Sequence, residues 1–346
     1  MIIGIRDPFG FTRLFYDPAR GASASTIAQL AGPGAAPDIP AIKGFLTGER
    51  LVGRTVLREV LAVPPGYALL RTSSGLVLRA PPPAATERAD LPALLRASLQ
   101  GALDSGKRVA LALSGGLDSA LLLALLHELG ARQVPAYILA TGMPGYCERA
   151  AALEMADRLQ ARVRIVHAGA AEFCAALPDA VRHVEEPMFN LHPVAKLLLA
   201  RAMAADGIEL AISGDGADQV LRRDRSANYL PLCKALFDAA SVRLWAPFLD
   251  DAVVSHLTGI PPDPDKHCLR NLGATLCLPE RLVRGPKRSR LAPAMDLDAM
   301  VAPASLQTLA STLGLPAPAL RDDTERVLWA TLLLTLEHLG ASRCSS

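Results

Sequence analysis

Two hydrophobic periods alternate along the middle of the chain. Short apolar runs at 108–113, 134–140 and 208–212, with a further run at 162–167, predict the strands of a buried sheet. The longer stretches 117–130, 147–160, 170–184 and 193–206 predict helices. Strands that alternate with helices in this way argue for an α/β fold, a parallel sheet with helices on both faces. Ligands of such sheets bind at the carboxyl ends of the strands, where Ser114 and Ser213 lie. The apolar run 120–126 is too short to span a bilayer and belongs to a buried helix.

The flanking sequence reads differently. Residues 1–80 predict short strands and turns, with a hairpin over Phe9–Tyr16, a turn entering a strand over Leu61–Leu70 and a further turn at Thr72–Gly75. Pro81-Pro82-Pro83 marks a linker, and Leu91, Leu94, Leu95 and Leu99 then set a helical spacing over 91–105. Residues 220–346 predict mainly helix. The division expected is a small β-rich region over 1–83 followed by an α/β region over 84–346.

Composition narrows the class. Hydrophobic residues make up 51% of the 346, enough for a sizeable core, while aromatics are 4%, so that core is built from Leu, Ala and Val. A net charge of +2 gives no argument for nucleic acid or an anionic membrane as partner, and any positive potential must be local. Cys147, Cys174, Cys233, Cys268, Cys277 and Cys344 are scattered without metal spacing, which suits reduced thiols in a cytoplasmic protein. The first residues, Met1-Ile2-Ile3-Gly4, do not form a signal peptide.

Two loops at strand ends carry the chemistry. In the first, Leu113 leads into Ser114-Gly115-Gly116-Leu117-Asp118-Ser119. The two glycines let the backbone approach an anion. The turn amides and the first helical N–H groups point outward, and the hydroxyls of Ser114 and Ser119 add donors. Asp118 would repel a phosphate unless Mg²⁺ sits between them, so the loop reads as a phosphate cradle with a metal ligand built in. The plain alternative is a strand–turn–helix corner that needs small residues for packing. No Gly-Lys-Ser/Thr follows, so this is not a Walker loop. In the second loop, Ser213-Gly214-Asp215-Gly216-Ala217-Asp218, two carboxylates stand three positions apart. If Asp218 meets Asp118 across the cleft, the pair would hold Mg²⁺ and leave Asp215 for another task. The alternative is a helix-capping turn.

Ser-Gly-Gly-Leu-Asp-Ser resembles the PP-loop of the ATP pyrophosphatase superfamily. Over about residues 100–292 the chain resembles the synthetase domain of the asparagine synthetase family, whose relatives include β-lactam synthetase, carbapenam synthetase and the lasso-peptide macrolactam cyclases. Further motifs follow in the family's order: Glu185-Glu186-Pro187, Ser213 to Asp218, Pro247-Phe248-Leu249-Asp250 and Arg284-Gly285-Pro286-Lys287. The resemblance implies an enzyme that adenylates a carboxylate with ATP and Mg²⁺, releases pyrophosphate, and joins the acyl group to an amine. It implies Leu113, Ser114, Gly115, Gly116, Asp118, Ser119, Gly214 and Asp218 on the nucleotide and metal. It places Lys287 on the family's loop lysine and Lys266 on a second lysine that contacts pyrophosphate. Asp215 stands where relatives carry Glu, which implies a proton acceptor for the amine on a side chain one methylene shorter. Glu186, Asn190 and His192 fall in a segment that faces the acceptor substrate; for His192 an ordinary helix-start role is the equal alternative.

The chain also departs from the family. Asparagine synthetases carry an N-terminal glutaminase with a terminal Cys nucleophile, whereas position 2 is Ile and the first Cys is Cys147. Arg6-Asp7-Pro8-Phe9-Gly10 resembles the middle of that domain, so the expectation is a truncated glutaminase-like region without glutamine hydrolysis, to be completed if at all by a separate glutaminase-like subunit. The nitrogen then comes from ammonia or from an amine on the substrate. The leading expectation is lactam or macrolactam formation on a lasso-type precursor peptide, with a leader peptidase as a partner. The rivals are an ammonia-dependent asparagine synthetase of reduced size and a non-catalytic binding partner.

Overall fold

The computed structural model describes residues 1–80, 90–142, 148–225, 229–285 and 296–341. The N-terminal region runs β1 (Ile2–Ile5), β2 (Phe15–Asp17), β3 (Ala22–Ala24), α1 (Ile39–Leu46), β4 (Leu61–Ala62), β5 (Ala68–Thr72) and β6 (Gly75–Arg79). It forms two small antiparallel sheets, β1-β5-β6 and β3-β2-β4. The α/β region runs α2 (Leu91–Leu103), β7 (Val109–Ala112), α3 (Leu117–Glu128), β8 (Ala136–Ala140), α4 (Arg149–Arg158), β9 (Val163–His167), α5 (Ala170–Val184), α6 (His192–Ala205), β10 (Leu210–Ser213), α7 (Ala217–Arg222), α8 (Tyr229–Ala239), β11 (Arg243–Trp245), α9 (Asp251–Thr258), α10 (His267–Thr275) and α11 (Glu280–Val283). The chain ends with α12 (Leu297–Met300), α13 (Pro303–Thr312) and α14 (Asp323–His338).

The five strands β11-β10-β7-β8-β9 form one sheet in that order, and every pairing is parallel. The predicted α/β class is therefore the observed one. The physical cause is burial. Strand β10 is buried along its whole length, and β7 along all but Val109, so polar side chains have no solvent face to occupy. Helix α3 follows the same logic: Ser119 to Leu126 are all buried, which is why its sequence is apolar all round. After β7 the chain builds outward through β8 and β9, and then returns to lay β10 on the other side of β7. Crossover connections thus leave β7 and β10 in opposite directions, and a crevice opens at their carboxyl ends.

Two local expectations need correction. Residues 9–14 are not a hairpin arm. The Asp7 carboxylate accepts from the amides of Phe9, Phe11 and Thr12, with Gly10 at φ 69°, and this closes a turn in place of a strand. The mainly helical stretch after residue 220 contains β11, an edge strand of three residues that is too short to show a period. The linker expected at Pro81–Pro83 lies outside the described residues.

The N-terminal region does not sit apart from the rest. Ile27, Ile42, Phe45, Leu57 and Val60 share one core cluster with Leu309, Trp329, Leu332 and Leu336 from α13 and α14. Phe9, 1% exposed, inserts into the core of the α/β region beside the residues of α3.

Candidate active site

The first loop is a closed hydrogen-bonded ring. Ser114 N–H donates to Ser119 Oγ at 3.0 Å, the two hydroxyls bond each other at 2.9 Å, and Gly116 N–H donates to Ser114 Oγ at 3.2 Å. Gly116 starts α3 without any side chain capping it. The serines thus shape the loop, and its backbone conformation is held before any anion arrives. Gly115 leaves no room for a side chain: a Cβ there would meet Ala151 Cβ at 2.8 Å and Glu148 Cβ at 3.0 Å, so the start of α4 packs directly on the loop.

The second loop packs against the first. A Cβ on Gly214 would lie 2.9 Å from Asp118 Cβ and 3.0 Å from the Ser119 amide nitrogen. Gly216 has φ 96°, and a side chain there would overlap Leu249. This gives the Pro247-Phe248-Leu249-Asp250 motif a physical task. Phe248 is fully buried, Leu249 fills the space under Gly216, and Asp250 caps α9 through the Ala252 amide.

The consequence is a convergence of charge. Lys266 Nζ donates to Asp118 Oδ1 at 2.8 Å and Oδ2 at 2.6 Å, and lies 3.2 Å from Asp218 Oδ1. The side chains are 11%, 21% and 26% exposed for Lys266, Asp118 and Asp218, so the cluster is mostly withdrawn from water. Carboxylates from two different loops therefore reach one cation position. Their donors are hard oxygens, and Mg²⁺ commonly takes one or two carboxylates and fills its remaining positions with water and substrate phosphates. No cluster of three or more metal-ligating side chains occurs among the described residues. The pair thus suits a metal that arrives with phosphates better than an all-protein metal cage.

Lys266 is held by its neighbours. It lies in the left-handed region at φ 59°, immediately before α10. The preceding turn is tied to α7 by Asp263 N–H donating to Leu221 O at 2.9 Å, and to α10 by Cys268 N–H donating to Asp263 Oδ2 at 2.8 Å. Burial pulls the Asp263 carboxyl upward, but the amides of Cys268 and His267 outweigh it and hold the group below its ordinary value. Further along α10, Arg270 donates to the carbonyls of Val283 and Gly285. Lys287 lies outside the described residues, two positions beyond that anchored carbonyl.

Asp215 sits in a second cluster. Its Oδ2 accepts from Lys196 Nζ at 2.7 Å and from Ser213 Oγ at 2.7 Å, while Oδ1 accepts from no described residue. Burial pushes this carboxyl upward, yet Lys196, Ser213 and His192 together hold it below the ordinary carboxylate range. The His192 ring stacks on Tyr229 with centroids 5.2 Å apart. Lys196 was not among the residues singled out from sequence. Its signal was there: one cation within the apolar run Val194-Ala195-Lys196-Leu197-Leu198 needs a buried partner.

Glu186, Asn190 and His192 separate in the structure. His192 stands in the field of Asp215. Asn190 is exposed, and its Oδ1 accepts from His192 N–H at 2.9 Å, a turn bond at the start of α6. Glu186 is buried against the N-terminal turn. Burial raises its carboxyl, and Arg13 and Arg6 offset part of that rise.

Residues 90–223 match the family described as asparagine synthase. The chain is 28% identical over 156 residues to the glutamine-hydrolysing asparagine synthetase B of Escherichia coli (strain K12), a stretch that is 39% of this chain and 27% of that relative. The chain thus spans about a quarter of that relative's length. Among solved structures it is similar to the NMN synthetase of Francisella tularensis, with TM-score 0.38 and 16% identity over 70% of this chain and 92% of the other. It is similar also to the NH3-dependent NAD synthetase of Campylobacter jejuni subsp. jejuni, with TM-score 0.38 and 16% identity over 73% and 97%. No helix among the described residues is long and apolar enough to cross a membrane.

Proposed function

We propose that this chain is an ATP- and Mg²⁺-dependent amide ligase that forms a lactam or macrolactam on a lasso-type precursor peptide. In this reading a substrate carboxylate attacks the α-phosphate of ATP. The bond to the β-phosphate breaks, and pyrophosphate leaves. The substrate's own amine then attacks the acyl carbon and AMP departs. The observation that carries the reading is the meeting of Asp118 and Asp218 at one cation position beside the Ser114–Ser119 loop. Bound Mg²⁺ supplies charge stabilisation for the departing pyrophosphate and would be held by these two carboxylates. The loop amides cradle the phosphates. Lys266 and Lys287 are the cations assigned to the phosphates and to the acyl transfer. Asp215, an anion with Oδ1 unused by described residues, accepts a hydrogen bond from the attacking amine.

The test is conversion of ATP to AMP and pyrophosphate in the presence of a precursor peptide, with a product lighter by one water. Asp118→Asn should lower turnover by roughly 10²–10³-fold, the scale of losing an electrostatic contact in a transition state. Full turnover in that variant would remove the metal assignment. Aspartate with ammonium in place of the peptide tests the rival: AMP formation from that pair alone would favour the asparagine synthetase reading.

A further inference from the structure

Lys266 does more than stand near the phosphates. Its ammonium makes bonding contact with both oxygens of Asp118 and lies 3.2 Å from Asp218 Oδ1, which is the place a cation shared by the two carboxylates must take. We propose that the Lys266 ammonium and a divalent cation are alternative occupants of one position between Asp118 and Asp218, so that the metal enters only together with phosphate groups that take over the ammonium. This rests on the nucleotide reading above.

Three observations carry it. An ammonium and a divalent cation cannot both contact the same pair of carboxylates without strong repulsion at that spacing. The backbone of Lys266 is fixed by the Asp263 turn and by Arg270 N–H donating to Lys266 O at 2.8 Å, while its side chain is a flexible four-carbon stem that can re-aim its charge. The charges also demand a shared arrival. A bare metal must displace an ammonium that has no other described carboxylate within ion-pair distance, and a bare polyphosphate that draws the ammonium away takes from Asp118 and Asp218 the cation they share. A metal–phosphate unit removes both obstacles at once, because it gives the carboxylates a cation and the ammonium an anion. The competing account is a permanent structural ion pair that plays no part in metal loading.

The experiment uses the full chain without nucleotide and reads free Mn²⁺ by electron paramagnetic resonance. Lys266→Met should bind Mn²⁺ about tenfold or more tightly than wild type, since a cation has been removed from contact with both ligands. The gain should vanish in Lys266→Met combined with Asp118→Asn. Lys266→Gln, whose amide keeps a hydrogen-bond donor between the carboxylates, should show the same gain and secures the test if the methionine variant does not fold. Equal Mn²⁺ affinity in wild type and folded lysine variants overturns the exchange. Wild-type binding of Mn²⁺–ATP is measured alongside: if it depends on Asp118 while the lysine variants show no gain, the exchange alone falls. If Mn²⁺–ATP does not bind in an Asp118-dependent way, the nucleotide reading falls and takes the exchange with it.

Discussion

Asp215 and Lys196 show how one buried contact sets a residue's chemistry. Both donors to Asp215 converge on Oδ2 at 2.7 Å. Burial alone would favour the neutral acid, but the Lys196 ammonium, the Ser213 hydroxyl and His192 win, and the folded value lies below the ordinary 3.8. A carboxylate held that low is a weak proton acceptor, and in the reaction proposed above its part would be to orient the amine. A depressed folded value contributes stability above about pH 4, and that contribution is lost as pH falls through the depressed value. Lys196→Met leaves the carboxylate buried and unpaired, which costs about 3 kcal/mol near neutrality. The cost should shrink as pH falls and Asp215 takes up a proton, and Lys196→Arg should recover part of it. Urea unfolding at a neutral and an acidic pH checks this; a pH-independent difference would mean that packing, not charge, is lost. The meeting of Asp118 and Asp218 was legible as an expectation from two strand-end loops, and the structure brings both carboxylates to the Lys266 ammonium. Lys196 was passed over because no spacing rule links a lysine on one helix to a loop nineteen residues on, and only the fold brings them together.

At the scale of elements, the site is made by two strand ends that lie side by side and by glycines that let their loops touch. Gly214 is the sharpest point of that contact. Its backbone is not in the left-handed region, so alanine there meets no conformational penalty, only the Asp118 Cβ and the Ser119 amide. Gly214→Ala must therefore push the β10 loop away from the start of α3. We expect a loss of about 1–3 kcal/mol in stability, the scale of overpacking, together with weakened binding of Mg²⁺–ATP. Calorimetric binding and thermal melts check the two effects, and unchanged binding would mean that the loops need not touch. Strands β7, β8 and β10 were legible because burial on both faces writes continuous apolar runs into the sequence. The edge strand β11 and the turn at 7–13 were not. The first is too short to carry a period, and the second depends on one side chain, Asp7, taking over amides that a strand would otherwise use.

The whole molecule is stitched across its length at the turn that leads into α6. Phe189 packs on Phe45 of α1 with ring centroids 4.7 Å apart, and Met188 N–H donates to Thr331 Oγ1 of α14 at 3.0 Å. One turn earlier, Glu185 accepts from the backbone amides of Ile27 and Ala28. The segment that carries His192 toward Asp215 is thus clasped between the N-terminal region and the last helix. Composition could not announce this, because Phe45 and Phe189 are far apart in sequence and neither belongs to a motif. The clasp makes a test of how the chain unfolds. Phe45 is fully buried in the cluster it shares with Trp329 and Leu336. Phe45→Ala should cost roughly 3–5 kcal/mol, the range for deleting a buried aromatic ring. Because the cluster spans both ends of the chain, hydrogen exchange should quicken together in α1, in the 188–192 turn and in α14. Protection lost in α1 alone would mean that the N-terminal region unfolds as a separate unit, and the turn bearing His192 would then owe its placement to the α/β region by itself.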